Sequence, residues 1–251
     1  MDVSRLRRTA PDADSLLGRY LGDRRFALAL PRAVGLQILH PSVAAAIVAH
    51  APSSLWHHKK RVVSHLVHLA YTPRDPHPAV RYGHELVHGV DSRGRRYHGL
   101  TPELFFFQHA TYVDTLVTAI ETFARPLLDA EKEELYADCR RWYLRYGISA
   151  RPMPETWAGF TAYLDRVCAT ELAVTPDSAL LTPALLRPDA WWPRTLPDPA
   201  VRTLLHPRTR ELLGVPLRPG DRVASAAHAI AVRTVLAGLT PRARLIPAAR
   251  R

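Results

Sequence analysis

The segment from residue 101 to residue 124 has almost no polar face, and this feature constrains the fold of the whole chain. Thr101 precedes Pro102 at the first helical position, and Glu103 follows in the first turn, which is the pattern of a helix start. The apolar positions of the segment are Leu104, Phe105, Phe107, Ala110, Tyr112, Val113, Leu116, Val117 and Ile120. A helix that is apolar nearly all round is buried in the middle of a bundle, so the segment predicts a bundle built around itself.

One histidine, His109, interrupts this apolar helix. A buried imidazole must be hydrogen-bonded or bound to something, because an unsatisfied buried polar group is costly. His109 is therefore either a core histidine bonded to a backbone group or a ligand. Phenylalanines and alanines around a single imidazole are typical of a proximal haem ligand, since an apolar shell excludes water and covers the porphyrin.

The composition indicates a folded protein with a sizeable core. The chain has 251 residues, of which 47% are hydrophobic, and no repeat or clear linker divides it. We therefore expect a single all-α domain over residues 14–245, a globular multi-helix bundle, after a flexible basic arm at residues 1–13. The two cysteines, Cys139 and Cys168, are too few for a disulfide scaffold and indicate buried thiols in a reducing compartment.

The chain is strongly basic, with a formal net charge of +11. Such a balance first suggests nucleic acid. The arginines are scattered and concentrate at the two ends, however, and no zinc-finger spacing or nucleic-acid-binding strand motif occurs, so we expect no nucleic-acid partner. No apolar run reaches the roughly 20 residues that span a bilayer, which predicts a cytoplasmic protein without a transmembrane segment.

Apolar periodicity and turn signals locate the remaining elements. His40-Pro41 should end one helix, because a residue before proline avoids the helical region. Lys59, Lys60 and Arg61 are expected on the outer face of their helix, and Asp91-Ser92-Arg93-Gly94-Arg95-Arg96 predicts a tight turn between two short extended arms. Helices are expected near 14–30 with a break at Gly22-Asp23, and over 28–39, 43–50, 54–71, 78–90, 101–124, 129–146, 154–172, 178–186, 200–213 and 219–239.

The helix predicted over 78–90 carries a potential metal motif. His84-Glu85-x-x-His88 would place two histidines at i, i+4 on one helical face beside a glutamate, the zinc-protease pattern. The extended form of that motif is absent, so the third ligand would be a distant Glu103 or Glu121. Gly83 also weakens the helix. A zinc hydrolase using His84, Glu85 and His88 is one alternative for the function.

Six short segments occur in an order and spacing shared by a known enzyme family. They are Leu39-His40-Pro41-Ser42-Val43-Ala44-Ala45 with His50, Arg81-x-x-His84-x-x-Val87-x-Gly89, Gly94-Arg95-Arg96-Tyr97, Pro102-Glu103-Leu104, His109-Ala110-Thr111-x-Val113-Asp114-Thr115 and Leu212-Leu213-Gly214-Val215-Pro216. In this arrangement the chain resembles the MpaB/rubber oxygenase family, which includes latex-clearing protein and the ER-bound MpaB oxygenase of mycophenolic acid formation. The resemblance covers nearly the whole chain.

The resemblance implies a haem b pocket, O₂ as co-substrate and a small apolar substrate, an isoprenoid- or polyketide-like alkene that is cleaved at a C=C bond. His109 falls on the proximal haem histidine, the metal ligand. Arg81 and His84 fall on the distal side, as cofactor-binding and catalytic residues; latex-clearing protein has lysine where this chain has His84. Glu85 is the nearest candidate for a catalytic base. The family often has arginine where this chain has His88, which leaves the role of His88 open.

The chemistry of these side chains agrees with the resemblance. Arg81 and His84, at i and i+3, are expected on one helical face. A guanidinium there would stabilise a haem propionate or developing negative charge, and an imidazole would donate to dioxygen or transfer a proton. A non-catalytic haem- or lipid-binding protein is the second alternative.

Overall fold

The computed structural model describes residues 9–51 and 53–250, and helices make up most of this part of the chain. The prediction of an all-α fold is confirmed. Residues 1–8 of the predicted N-terminal arm lie outside the described residues. Cys139 and Cys168 are buried free thiols.

The helices are numbered here in chain order. Helices α1 to α7 are Leu16–Tyr20, Arg24–Ala29, Pro31–Leu39, Pro41–His50, Leu55–Tyr71, His77–His84 and Pro102–Phe123. Helices α8 to α14 are Asp129–Arg145, Trp157–Thr170, Pro176–Leu186, Asp198–Leu204, Pro207–Leu212, Asp221–Ala237 and Pro241–Arg244. Two strands, β1 (His88–Val90) and β2 (Arg96–His98), lie between α6 and α7, and short 3₁₀ helices cover Trp192–Thr195 and Pro247–Ala249.

Helix α7 is the centre of the bundle, as its apolar sequence predicts. Pro102 stands at its first turn, and helices α2, α3, α8, α9 and α13 pack around it. Phe106, Leu116 and Ile120 are almost fully buried. Full burial of a large apolar side chain contributes roughly 1.5–3 kcal/mol, so the apolar surface of α7 stabilises every layer around it.

Helices α3 and α4 form a bent apolar hairpin at His40-Pro41. The two axes are bent by 101° at this dipeptide, where His40 is extended and Pro41 begins the next helix. In the part of the chain that the structure describes, no single helix is long and apolar enough to cross a membrane; this bent pair alone meets the length and composition criteria when its two helices are taken together.

A β-hairpin replaces the second half of the helix predicted over residues 78–90. Helix α6 ends at His84, and β1 pairs antiparallel with β2, with His88 opposite His98. The turn predicted over residues 91–96 is confirmed up to Arg95, since Arg96 already belongs to β2. The buried Asp91 carboxylate accepts from the backbone N–H of Arg93 and Arg95. The prediction of a helix up to residue 90 is wrong, because the hydrogen bonds of the hairpin and of the buried Asp91 carboxylate stabilise this segment more than further helical turns would.

Two more departures from the sequence-based boundaries have local causes. The helix predicted from Leu28 begins at Pro31, because Arg24–Ala29 ends as a separate helix. The helix predicted over 200–213 is split into α11 and α12, since Pro207 holds His206 in an extended conformation.

The two ends of the described chain are joined. The backbone N–H of Ile246 donates to the carbonyl of Gly22 at 2.9 Å, and Asp23 forms an isolated antiparallel bridge with Leu245. The Tyr71 hydroxyl accepts from the N–H of Gly22 at 3.0 Å, so helix α5 is tied to the same point.

Arg145, at the end of α8, holds the chain that leaves α5. Its side chain is almost fully buried and donates to the backbone carbonyls of Ala70, Thr72 and Arg74. These carbonyls lie at the C-terminal end of a helix and just beyond it, where no intrahelical donor reaches them. The guanidinium therefore supplies the donors that the end of α5 needs.

Candidate active site

A cavity of about 660 Å³ lies between the α4–α6 side of the bundle and helix α7. Helix α5 contributes Val62, Leu66 and Leu69 to its wall, and α7 contributes Phe105 and Tyr112. This volume falls within the roughly 300–1,000 Å³ of small-molecule sites. The side of α7 that faces α5 therefore lines a cavity, while its other sides pack in the core.

His109 lies in the wall of this cavity and has one partnered and one unpartnered nitrogen. Its Nε2 is 3.1 Å from the backbone carbonyl oxygen of Cys139, whereas its buried Nδ1 has no hydrogen-bond partner among the described residues. Burial lowers the pKa of His109 to about 3, so the ring is neutral at ordinary pH. Because a carbonyl only accepts, Nε2 carries the proton and Nδ1 keeps its lone pair.

Aromatic rings fix the orientation of this imidazole. The ring centroids of Trp142 and Tyr143 lie 4.5 Å and 5.1 Å from that of His109. Both rings come from α8, the helix that also provides the Cys139 carbonyl. Helix α8 therefore holds one edge of the ring while the nitrogen on another edge is left without a partner.

His84, the last residue of α6, lines the same cavity as His109. Its Nδ1 is 2.8 Å from the Val80 carbonyl, and its ring meets the edge of Phe105 with the centroids 5.2 Å apart. Burial lowers the pKa of His84, although the hydrogen bond to Val80 opposes this effect. The structure thus brings two of the predicted site residues, His84 and His109, to one cavity.

Arg81 and Glu85 lie outside the cavity wall. Their side chains are 56% and 60% exposed, and Arg81 Nη2 stands 3.6 Å from Glu85 Oε1. Arg81 and His84 stand at i and i+3 on α6, but His84 is directed into the cavity wall while Arg81 meets the solvent. Roles of Arg81 and Glu85 toward a bound molecule stay predictions.

His88 stands on strand β1 and not on the helix that carries His84. Its exposed ring stacks on His98, with the two centroids 6.4 Å apart and the planes at 4°. The i, i+4 relation that the zinc-protease pattern requires is therefore absent. Across residues 9–51 and 53–250, no group of three or more His, Cys, Asp and Glu side chains is arranged to hold a metal ion. The zinc hydrolase alternative loses its geometric basis.

The sequence analysis missed Lys59, which was expected on the outer face of α5 and is 2% exposed. Its Nζ donates to Gln37 Oε1 at 2.6 Å, and Gln37 Nε2 donates to the Thr111 hydroxyl at 2.7 Å. Burial lowers the pKa of Lys59 to about 7. The signal was available: Lys59 continues the i, i+4 row of Leu55 and Val63, which faces the core.

The charged and imidazole side chains of the cavity wall are all basic. Within the described residues, no Asp or Glu belongs to this wall. Its basic members are Lys59, Arg61, His50, His58, His65, His84 and His109. His58 is half-buried. The cavity is therefore suited to a ligand that is mainly apolar and carries an anionic group.

A second cavity of about 440 Å³ shares Leu104 with the first one. His40 lies in its wall with the ring 4.8 Å from that of Phe107, centroid to centroid. The Nδ1 of His40 is buried without a hydrogen-bond partner in the described chain. Burial lowers the pKa of His40 to about 4.

Acid should therefore destabilise the protein through His40. Its pKa falls from 6.5 to about 4 on folding, so its contribution is complete above pH 6.5 and is lost as the pH falls toward 4. The loss would be roughly 2–3 kcal/mol in the free energy of unfolding, measured by urea titration at several pH values. His40→Gln should make that pH profile less steep, with the share of His109 retained, whereas the exposed His57→Gln should leave it unchanged. Parallel profiles for wild type and His40→Gln would contradict the assignment.

The fold and the cavity define a helical protein with an apolar, histidine-bearing site. The family model described as "ER-bound oxygenase mpaB/B'/Rubber oxygenase, catalytic domain" matches residues 18–236. The chain belongs to this family, and the resemblance read from its six motifs is confirmed. An oxygenase family makes the protein an enzyme. No curated protein and no solved structure matches the chain at a significant level.

Proposed function

We propose that the protein is a haem b-dependent oxygenase that uses O₂ to oxidise an apolar, unsaturated substrate of isoprenoid or polyketide type, by cleavage of a C=C bond. The observation that carries the proposal is the unpartnered Nδ1 of His109 in the wall of the large cavity. A buried lone pair without a donor is costly, and a bound iron would satisfy it.

The donor set fits a haem. An axial histidine needs one free nitrogen and a second nitrogen held by an acceptor, and His109 has both through the Cys139 carbonyl. The apolar side chains of α5 and α7 suit a porphyrin plane, and Arg61, exposed in the cavity wall, would pair with a propionate. His109 would therefore hold the metal, and Arg61 would help to hold the ring.

Side chains of the cavity wall would handle the proton and shield the substrate from water. When bound, the haem would supply the redox chemistry that activates O₂. His84 donates through Nδ1 to Val80, so its Nε2 is free to take up a proton and return it during the reaction. Leu66, Leu69 and Phe105 exclude water from the cavity and provide contacts for an apolar chain.

The visible spectrum of the purified protein tests the cofactor. We expect a Soret band and about one haem b per chain by pyridine haemochrome assay, the stoichiometry of a single axial histidine. A colourless protein that contains stoichiometric zinc, and that loses this zinc when His84 or His88 is mutated, would contradict the proposal.

Oxygen uptake separates an oxygenase from a haem carrier. Reduced protein should consume O₂ when an isoprenoid alkene such as squalene is added, and the products should contain new carbonyl groups, as expected for C=C cleavage. A saturated analogue of the same length is the matched control and should give no uptake. Haem-loaded protein that consumes no O₂ with any unsaturated substrate would favour the non-catalytic carrier.

A further inference from the structure

Lys59 is a buried cation that no carboxylate of the described chain neutralises. It lies in the wall of the large cavity, and the acceptor that its ammonium group reaches within the described residues is the neutral amide oxygen of Gln37. An ammonium group has three donors, so two remain. A buried ammonium with one neutral partner is costly and loses its proton easily.

Three other shielded cations of the described chain, unlike Lys59, are each paired with a carboxylate. Arg25 pairs with Asp23 at 2.8 Å, and Arg202 pairs with Asp221 through two bonds of 2.7 Å. Arg32 likewise forms two bonds to Asp114. The fold thus places a carboxylate beside each of these guanidinium groups but not beside Lys59, whose surroundings include an open cavity.

The backbone and side chains behind Lys59 hold its ammonium in place. Gln37 accepts from Lys59 and donates to the Thr111 hydroxyl, which donates to the Gln108 carbonyl at 2.7 Å. This chain of bonds links α5, α3 and α7. A fixed donor of this kind loses little rotamer entropy when a ligand binds, which is the condition for selective recognition.

We propose that Lys59 binds a carboxylate that enters the cavity as part of an amphipathic ligand, with the apolar remainder against Val62, Leu66 and Leu69. The carboxylate would belong either to the substrate, which would then be a long-chain unsaturated acid, or to a haem propionate. As a statement about substrate, the inference rests on the proposed function. The carboxylate would supply the negative charge that the wall lacks. It would accept hydrogen bonds from the two remaining N–H donors of the ammonium group.

The sequence makes Lys59 easy to observe, because the chain has three lysines: Lys59, Lys60 and Lys132. In protein labelled with ¹³C-lysine, three Cε signals are expected, and Lys59→Gln identifies the one from Lys59. Oleic acid should shift this signal, while oleyl alcohol, which has the same chain without the charge, should not. An unmoved Lys59 signal at saturating oleic acid would overturn substrate recognition.

Binding affinities provide the second test. Wild type should bind oleic acid about tenfold more tightly than oleyl alcohol by calorimetry, as expected for one charge-assisted hydrogen-bonded contact. Lys59→Gln keeps a donor for Gln37 but removes the charge, and it should bring the two affinities close together. Lys60→Gln, the exposed neighbour, should keep the wild-type ratio.

Haem content distinguishes the two sources of the carboxylate. Loss of acid preference in Lys59→Gln with wild-type haem content assigns the contact to substrate; loss of haem with unchanged acid preference assigns it to a propionate. An unchanged ratio together with unchanged haem would overturn the proposal. Should wild type contain no haem, the proposed function fails, while the comparison of acid and alcohol still tests Lys59.

Discussion

Replacing His109 with alanine is expected to abolish the Soret band of the purified protein. The residue offers a buried Nδ1 lone pair that meets no partner among the described residues, and its other nitrogen is fixed by the Cys139 carbonyl. Loss of groups that only orient a metal ligand already lowers affinity about 10–100-fold, so loss of the ligand itself should leave less than about a tenth of the haem. Pyridine haemochrome assay on protein of equal concentration measures the effect.

A matched variant and a rescue make this test specific. His68→Ala removes an exposed imidazole from helix α5 outside the cavity wall and should keep full haem content. His109→Gly with imidazole added should regain the band, because the free ligand can occupy the vacated space; a merely structural histidine would not respond in this way. A full Soret band in His109→Ala would contradict the assignment.

The largest loss of stability is expected for Arg145→Met. This change leaves three carbonyls without their charged donor: that of Ala70, whose bond is buried, and those of Thr72 and Arg74, whose bonds are partly buried. Each unsatisfied group costs about 1–3 kcal/mol, so the free energy of unfolding should fall by roughly 3–5 kcal/mol in urea titrations.

Arg141 provides the control on the same helix. Its side chain is 61% exposed and pairs with Asp138, so Arg141→Met should change the free energy of unfolding by less than about 0.5 kcal/mol. A loss below about 1 kcal/mol for Arg145→Met would show that water or a local shift replaces the guanidinium.

The elements that the sequence predicts well are those in which one local pattern decides the outcome. Helix α7 has apolar residues on every side, so it can only lie at the centre. His40-Pro41 ends a helix through backbone sterics alone. His109 was singled out as a candidate site residue for the same reason, because a single imidazole in an apolar helix needs a partner wherever the helix packs.

The elements that the sequence predicts poorly depend on distant partners. His88 belongs to a strand because residues 96–98 pair with it, and no periodicity of residues 78–90 contains that information. Lys59 was read as an outer residue from its charge, yet Gln37, 22 positions away, makes its burial tolerable. The cavity itself arises where α4, α5, α6 and α7 fail to close on one another, which is a property of their packing and not of any one segment.

The bridge between residues 22–23 and 245–246 has a consequence for synthesis in the cell. At roughly 5–20 residues per second, a ribosome needs on the order of 10–45 seconds to proceed from Gly22 to Ile246. During that time residues 245–249 are missing, and the part of α5 against which Pro247–Ala249 packs lacks its cover. The nascent chain therefore leaves this part of α5 open to chaperones until residues 245–249 have been made.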